Sequence, residues 1–575
     1  MKRFFSWRIP GTWTLFRADD RLLLIVSGMV VGVAGGFAAY LLNQSLIFLF
    51  DVLKPYRTCA WSFVIPGAGA ALSVIFLTRV VREKGGHGVP EVIYSVSRLG
   101  GRLSARAMFS RLVASSLTIG SGGSAGPESP VVISGAAIGS NIARFFSMNE
   151  RQRVTLLGCG AAGAISSIFN APIAGFVFVL EVVLGEWSKA HIVPVAVASV
   201  AGAQINRLLS GNQIAFSHHR FQVSWQDTVA CLGLALFAAL ISVLMTRGIR
   251  NMHQIAGKTG LPAWVKAALG GCAVGLIGIV VPDALGEGYH AIREMIEGAY
   301  AHGLGLVFAA CLVKVLATSF TLGWGGSGGI FAPSLVVGSF AGLAYHRALV
   351  SVFPTLTWVG EGGYALLGMA GLVGGILQAP LTGIFLIVEI TGGYEFILPL
   401  IIVSSISATV CYYFEPASFY MKELIEKGQL LRPGTDGRVL SDLSVLELIE
   451  KDCAVVRPEM TLRDLTGVIS QSRRNHFPVE DPENGRFLGM VTFDHIRPYL
   501  FEEIMYDAVF VEQIMDTDVA VVRPGDSVAD VLAIMDRNGL YSMPVVDGEK
   551  FAGMVSKATL FDHYRKELMV QTDHD

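Results

Sequence analysis

Long stretches without a single charged residue decide what this chain can fold into. Residues 22–50, 154–180, 318–345 and 362–388 contain no Asp, Glu, Lys or Arg. About 20 apolar residues in a row can cross the hydrocarbon of a bilayer, because a helix satisfies its own backbone hydrogen bonds there. Composition agrees: 52% of the residues are hydrophobic and 16% charged, against roughly a quarter charged in an average soluble domain. Several such runs read as a multi-pass membrane protein, not as one very large soluble core.

Lys2, Arg3, Arg8, Arg17 and Arg21 precede the first run. That run is too long for a signal-peptide core and lacks a small-residue cleavage site. Residues 1–21 are therefore expected as a cytoplasmic N-terminal segment. The net charge of -2 points to no charged partner, and no nucleic acid is expected. The seven cysteines are scattered without a C-x-x-C pair and read as apolar fillers, not as a disulfide or metal framework. Charges return at Lys422, Glu423, Glu426 and Lys427. The membrane domain is placed at 22–425 and a linker at 426–445.

Both parts contain repeats. Ser116-Leu117-Thr118-Ile119-Gly120 through Ser124 resembles Ser319-Phe320-Thr321-Leu322-Gly323 through Ser327, 203 residues on. Ala171-Pro172 with Gly175 and Glu181 resembles Ala379-Pro380 with Gly383 and Glu389, 208 residues on. Two pairs in one order imply two homologous halves, whose interface near mid-membrane is the usual place for a transport site. In the tail, Val455–Pro458 recurs as Val521–Pro524 and Phe477–Val479 as Met543–Val545, both at an offset of 66. Each copy reads as strand, amphipathic helix, two strands and a second helix, at 446–505 and 510–570. Val528, Val531, Leu532 and Met535 share a helical face.

Four places combine Gly, Pro and polar residues inside apolar surroundings. They are Gly86-His87-Gly88-Val89-Pro90-Glu91, Gly123-Ser124-Ala125-Gly126-Pro127, Gly329-Ile330-Phe331-Ala332-Pro333 and the region of Tyr420. Gly and Pro at membrane depth break helices and free backbone N–H groups. A half-helix beginning there aims those donors and the positive end of its dipole at one spot. Several such ends hold an anion without a full positive charge that would trap it. The alternative, close helix packing by small residues, accounts for one motif more easily than for the set.

These motifs, in this order, resemble the selectivity motifs of the CLC family of chloride channels and transporters over about residues 22–425, and the tail resembles a tandem CBS pair. The resemblance implies an all-α multi-pass membrane domain of two inverted repeats plus a cytoplasmic α/β CBS pair. It implies a homodimer in the cell (inner) membrane that moves chloride or a similar small anion across the lipid bilayer, with no catalytic activity. It further implies anion contacts from the Ile330 and Phe331 backbone, from the Tyr420 hydroxyl and from His87. The pore is then lined by Gly86, Gly88, Pro90, Gly123, Ser124, Gly126, Pro127, Gly329 and Pro333.

Three departures shape the functional expectation. The family's central anion contact is often a serine, where this chain has His87; a neutral imidazole still donates one N–H. Exchangers of the family carry a gating glutamate in Gly-x-Glu-Gly-Pro, and the motif at Gly123–Pro127 puts Ala125 there. Their inner proton-transfer glutamate corresponds to Val182, and an apolar side chain moves no proton. The expectation is a passive channel. The alternative is an exchanger using Glu128, one turn from Ala125, although Glu128 also reads as an acid at a helix N-terminus.

The CBS family's ribose-binding aspartate would stand at His495 and Thr559, which argues against an adenine nucleotide while leaving it open. Two other classes were weighed. Gly122-Gly123-Ser124-Ala125-Gly126 fits the G-x-S-x-G pattern of a serine nucleophile, which needs a base within reach. A divalent-cation channel needs pore carboxylates, and Glu181 and Glu389 match each other by repeat, as structural residues would.

Overall fold

The computed structural model describes residues 20–59, 61–83, 88–211, 224–426, 443–472, 474–499 and 501–572. Gly86, His87 and most of the 426–445 linker lie outside the described residues. Two compact units divide the chain, 1–429 and 430–575.

The first unit is helical, and its elements repeat in order. The first half has α1 (Asp20–Leu53), α2 (Val64–Ile75), α3 (Val89–Arg98), α4 (Ala107–Gly120), α5 (Glu128–Phe145), α6 (Glu150–Phe169), α7 (Pro172–Phe178) and α8 (Lys189–Ser210). The second has α9 (Trp225–Lys258), α10 (Ala263–Val280), α11 (Tyr289–Ile296), α12 (Leu304–Gly323), α13 (Phe331–Val352), α14 (Glu361–Leu377), α15 (Pro380–Thr391) and α16 (Ile397–Phe414). A final α17 (Phe419–Glu426) closes the unit. Among the described residues, eight helices are long and apolar enough to cross a membrane. Leu232, Leu236 and Leu240 on α9, and Val26, Val30 and Phe37 on α1, are exposed. In a bilayer such a face meets lipid at no hydrophobic cost.

Glycines set the helix crossings. A Cβ on Gly135 of α5 would overlap the Gly160 carbonyl of α6, and one on Gly160 would overlap that of Gly135. Gly338 of α13 and Gly368 of α14 stand in the same relation in the second half. Only a hydrogen lets these backbones touch.

Among the described residues, elements meet their own repeat mates where α2 packs on α10, α7 on α15 and α5 on α13, and in an antiparallel bridge between Gly126 and Gly329. Contacts between repeat mates lie on a pseudo-two-fold axis that relates the two halves. The fold is a pair of repeats, the arrangement the expected inverted repeats require. Asn170 and Gln378 end α6 and α14 in the left-handed conformation, with φ of 54° and 53°, before the Ala-Pro turns.

Glu181 and Glu389 cap helices across this axis. Glu181 accepts from the backbone N–H groups of Leu381 (3.1 Å) and Thr382 (2.8 Å) at the start of α15. Glu389 accepts from those of Ile173 (3.0 Å) and Ala174 (2.7 Å) at the start of α7. Each carboxylate answers the unpaired donors and dipole of a helix from the other half. The pair is structural, which removes the basis for a cation pore.

The second unit contains two copies of one plan. β1 (His476–Glu480) pairs antiparallel with β2 (Phe487–Thr492), and β3 (Ser542–Asp547) with β4 (Lys550–Ser556). Parallel bridges Val456–Val479 and Val522–Val545 repeat at the sequence offset of 66. α18 (Leu462–Gln471) covers the first hairpin through Leu462 and Leu465, and α19 (Val528–Arg537) the second through Val528, Val531 and Met535. Leu443 and Val445, read from sequence as linker, are buried in the second core.

Candidate functional site

The bridge at Gly126 and Gly329 positions the site. It consists of two hydrogen bonds, Gly126 N–H to Gly329 O (2.8 Å) and Gly329 N–H to Gly126 O (2.7 Å). Hydroxyls brace it from both halves: Ser124 N–H donates to Thr321 Oγ1 (3.0 Å) and Ser327 N–H to Thr118 Oγ1 (3.3 Å). The chain then enters α5 at Glu128 and α13 at Phe331.

This pairing keeps the repeat offset of 203. Gly126-Pro127-Glu128-Ser129-Pro130 is the repeat mate of Gly329-Ile330-Phe331-Ala332-Pro333. Ala125 is the mate of Gly328, and the two meet on the seam, where a Cβ on Gly328 would lie 2.5 Å from that of Ala125. Ala125 is fully buried there. Ala125 precedes the helix start, and Glu128 opens α5. Gly123 closes α4 with its N–H on Thr118 O (2.9 Å). The Ser124 hydroxyl lies 3.0 Å from that of Thr318, a partner that offers no general base, so the serine-nucleophile pattern is a loop feature.

Glu128 is buried at the first position of α5. Its Oε1 accepts from the Tyr289 hydroxyl at 3.1 Å. Its Oε2 is buried without a hydrogen-bond partner among the described residues and packs on Gly126.

Ser129, passed over in the sequence reading, is the hub of the site. A Cβ on Gly88, the N-cap of α3, would meet Ser129 O at 2.8 Å, and one on Gly329 would meet Ser129 Oγ at 2.9 Å. Its hydroxyl lies 3.5 Å from that of Tyr420, which is fully buried on α17. The starts of α3, α5 and α13 thus converge with the Tyr420 hydroxyl, bringing together Gly88, Pro90, Pro127, Ile330, Phe331 and Pro333. The Phe331 ring packs on Phe169 and Phe178, with centroids 5.3 and 6.1 Å away. The signal for Ser129 was in the sequence: it follows Glu128 and is the repeat mate of Ala332. Val182 lies half-buried in a π-helical turn beside Glu181 and supplies no carboxylate.

Two clefts approach this centre. One, of about 790 Å³, is lined by Arg57, Ile279, Glu287 and Tyr289; the other, of about 660 Å³, by Arg111, Arg250, Lys266, Lys422 and Glu423. They lie at opposite ends of α10, which spans about 27 Å. From the first cleft, Tyr289 leads to Glu128, Ser129 and Tyr420, whose helix lines the second. The second mouth is also lined by Glu426, and its Arg111 pairs with Glu91 while Arg250 and Lys422 pair with Glu415.

In the other unit, the Ser556 hydroxyl donates to Glu450 Oε1 (2.6 Å), as does that of Thr559, and Arg474 pairs with Oε2. Burial alone would raise the Glu450 carboxyl; these hydroxyls and the guanidinium outweigh it and hold it below the usual range. Of the positions matched to the ribose-binding aspartate, Thr559 is engaged by this internal carboxylate, whereas His495 lies 3.5 Å from the Thr492 N–H at the end of β2.

Comparison with known proteins agrees with the architecture. The voltage gated chloride channel family matches residues 69–412, and the CBS domain family matches 445–502 and 511–566. A putative chloride channel protein ClcB-like from Ralstonia nicotianae is 30% identical over 395 residues, covering 66% of this chain and 91% of its own. An H(+)/Cl(-) exchange transporter ClcA from Klebsiella pneumoniae is 30% identical over 416 residues, covering 69% and 87%. Among solved structures, a slow cyanobacterial Cl-/H+ antiporter superposes with a TM-score of 0.63 at 23% identity, covering 72% of this chain and 99% of its own. A eukaryotic CLC transporter superposes with a TM-score of 0.64 at 18% identity, covering 94% and 98%.

Proposed function

The chain belongs to the voltage gated chloride channel (CLC) family, and on that premise we propose that it moves a small anion of the chloride class passively, through a path gated by the Glu128 carboxylate. The observation that carries this reading is the position of Glu128, buried at the first position of α5 where the starts of α3, α5 and α13 converge. A carboxylate there competes with a permeating anion for the same N–H and hydroxyl donors. Protonation removes the competing charge and releases the site.

Val182 offers no group to carry that proton onward, so opening the gate need not move protons across the membrane. In this reading the anion meets the Ile330 and Phe331 backbone, the Tyr420 and Ser129 hydroxyls and His87. The protein works as a homodimer in the cell membrane, with the N-terminus and CBS pair cytoplasmic. The CBS pair has a structural role, a reading supported by the absence of a carboxylate at His495 and Thr559 and by the engagement of Thr559 with Glu450.

Chloride efflux from liposomes tests the gate. Glu128→Gln should raise flux at pH 7 by roughly tenfold, equivalent to about 1.4 kcal/mol in the barrier, and abolish activation by acid. A chloride gradient should drive no uphill proton movement. Glu128 itself favours a second reading, proton-coupled exchange, which the name of the Klebsiella relative also suggests. Proton uptake by the unmodified protein that Glu128→Gln abolishes would establish exchange instead.

A further inference from the structure

A third repeat pair links Gly86-His87-Gly88-Val89 to Gly286-Glu287-Gly288-Tyr289, 200 residues on. Gly88 and Gly288 both take positive φ, 87° and 84°, and α3 and α11 each begin one residue later. Glu287 is therefore the repeat mate of His87, carried on a loop at the first cleft, which it lines.

Buried cations follow the same repeat but are used differently. Arg111 on α4 and its mate Lys314 on α12 are both buried. Arg111 pairs with the Glu91 carboxylate at 2.7 Å. Lys314 Nζ donates instead to three backbone carbonyls, Asp283 (3.4 Å), Ala284 (3.1 Å) and Gly286 (3.0 Å). An ammonium has three N–H donors, and here the loop backbone takes all of them. The lysine therefore clamps the turn and leaves the Glu287 carboxylate to the cleft. Two residues on, the Tyr289 hydroxyl holds Glu128 Oε1. One anchored turn thus carries the phenol that holds Glu128 and, two residues before it, a carboxylate that lines the same cleft.

We infer that Glu287 and Tyr289 are positioning residues that tune the Glu128 gate, with Glu287 opposing its ionised form and Tyr289 holding that form in place. The inference rests on the reading of Glu128 as the gate. A like charge nearby disfavours an ionised carboxylate, and a hydrogen bond to the ionised form favours it. The charged and titratable groups around Glu287 are Lys314 from α12, Asp283 from its own loop, Glu128 from α5 and Tyr289 and His290 from α11. Asp51 and Arg57 stand in the wall of the same cleft. Arg57 is engaged by Gly120 O (3.2 Å) and the Phe50 ring, while Lys314 supplies the counter-charge beneath the loop.

The test is chloride efflux by the full chain in liposomes, at equal pH on both sides, from pH 4 to 8. Acid activation is the component read; a contribution from His87 has the opposite sign, because an imidazolium holds the anion longer. Glu287→Gln should move the activation midpoint to lower pH, and Tyr289→Phe should move it to higher pH, each by about half a unit or more. Tyr289→Phe keeps the ring and reads the same pair if Glu287→Gln fails to assemble. If Glu128→Gln abolishes acid activation while both variants leave the midpoint in place, or shift it the same way, the tuning role fails and the gate stands. If Glu128→Gln remains acid-activated like the unmodified protein, the gate reading fails, and the tuning role with it.

Discussion

The segments Gly126–Pro130 and Gly329–Pro333 fold alike, meet each other in one antiparallel bridge, and then begin their helices with opposite chemistry. One opens α5 with the Glu128 carboxylate, the other opens α13 with the Phe331 ring. A fold with two halves needs the same backbone in both, because the Gly-Pro break exposes N–H donors and brings the chains into contact. Nothing in that requirement constrains the side chain that follows. The repeat supplies two equivalent helix starts, and divergence at Pro127/Ile330, Glu128/Phe331 and Ser129/Ala332 puts a carboxylate on one and an aromatic ring on the other, the difference on which the proposed gate rests.

The largest expected effect tests which residue holds the gate position. Ala125→Glu buries an unpaired carboxylate on the seam against Gly328, at a cost of several kcal/mol. Size-exclusion chromatography in detergent should show loss of the assembled protein. An assembled Ala125→Glu protein with slow, acid-activated flux would return the gate position to residue 125.

A smaller effect separates the two glycines of the bridge. A Cβ on Gly126 would overlap the Glu128 carboxylate, whereas one on Gly329 meets the backbone and side chain of Ser129. Gly126→Ala should displace the gate and raise chloride flux at pH 7 several-fold, whereas Gly329→Ala should lower it. Equal changes in both would mean that the halves are not functionally distinct.

The helix caps test the opposite side of the comparison, where the halves should match. Glu181→Ala and Glu389→Ala each strand two backbone N–H groups and should cost about 1–3 kcal/mol, visible as a lower Tm. The Glu181 change should cost more, because its Oε2 also accepts from the Thr382 hydroxyl at 2.6 Å. Unchanged stability in either would show that the reciprocal capping is incidental.

The smallest effect lies in the CBS pair. The Glu450 carboxyl is held below its usual range when folded, so its stabilisation is present above about pH 4.3, the unfolded value. It is lost as pH falls through the lower folded value. Denaturation of the second unit, followed by limited proteolysis, should become easier below about pH 4. Glu450→Gln should flatten that dependence.

Much of this protein was legible in its sequence, for identifiable reasons. Runs such as 22–50 need no tertiary information, because their length and lack of charge are set against the bilayer itself. The offsets of 203, 208 and 66 are arithmetic on the chain, and each names a structural pair: Thr118 with Thr321, Glu181 with Glu389, Val456 with Val522. Glu181 and Glu389 were read as structural for that reason. The frame of the proposed gate was not legible in the same way. Gly123, Gly126, Pro127 and Pro130 recur at short intervals, so the chain around Ala125 fits a Gly-Pro pattern in more than one frame. The third repeat pair, through Glu287, was hidden because only its two glycines persist.

The sequence by itself determined that the chain crosses a membrane in two related halves, where its helices break, and that a paired α/β unit follows. Those features depend on hydrophobicity, chain stiffness and periodicity, which act locally. Only the tertiary structure decided that Glu128 faces the convergence of helix starts, that Ala125 is sealed on the seam, and that Ser129 links Gly88, Gly329 and Tyr420. The physical reason is the pair of hydrogen bonds between Gly126 and Gly329. They join residues 203 positions apart, and the residue that begins α5 is set by a partner that the local sequence does not contain.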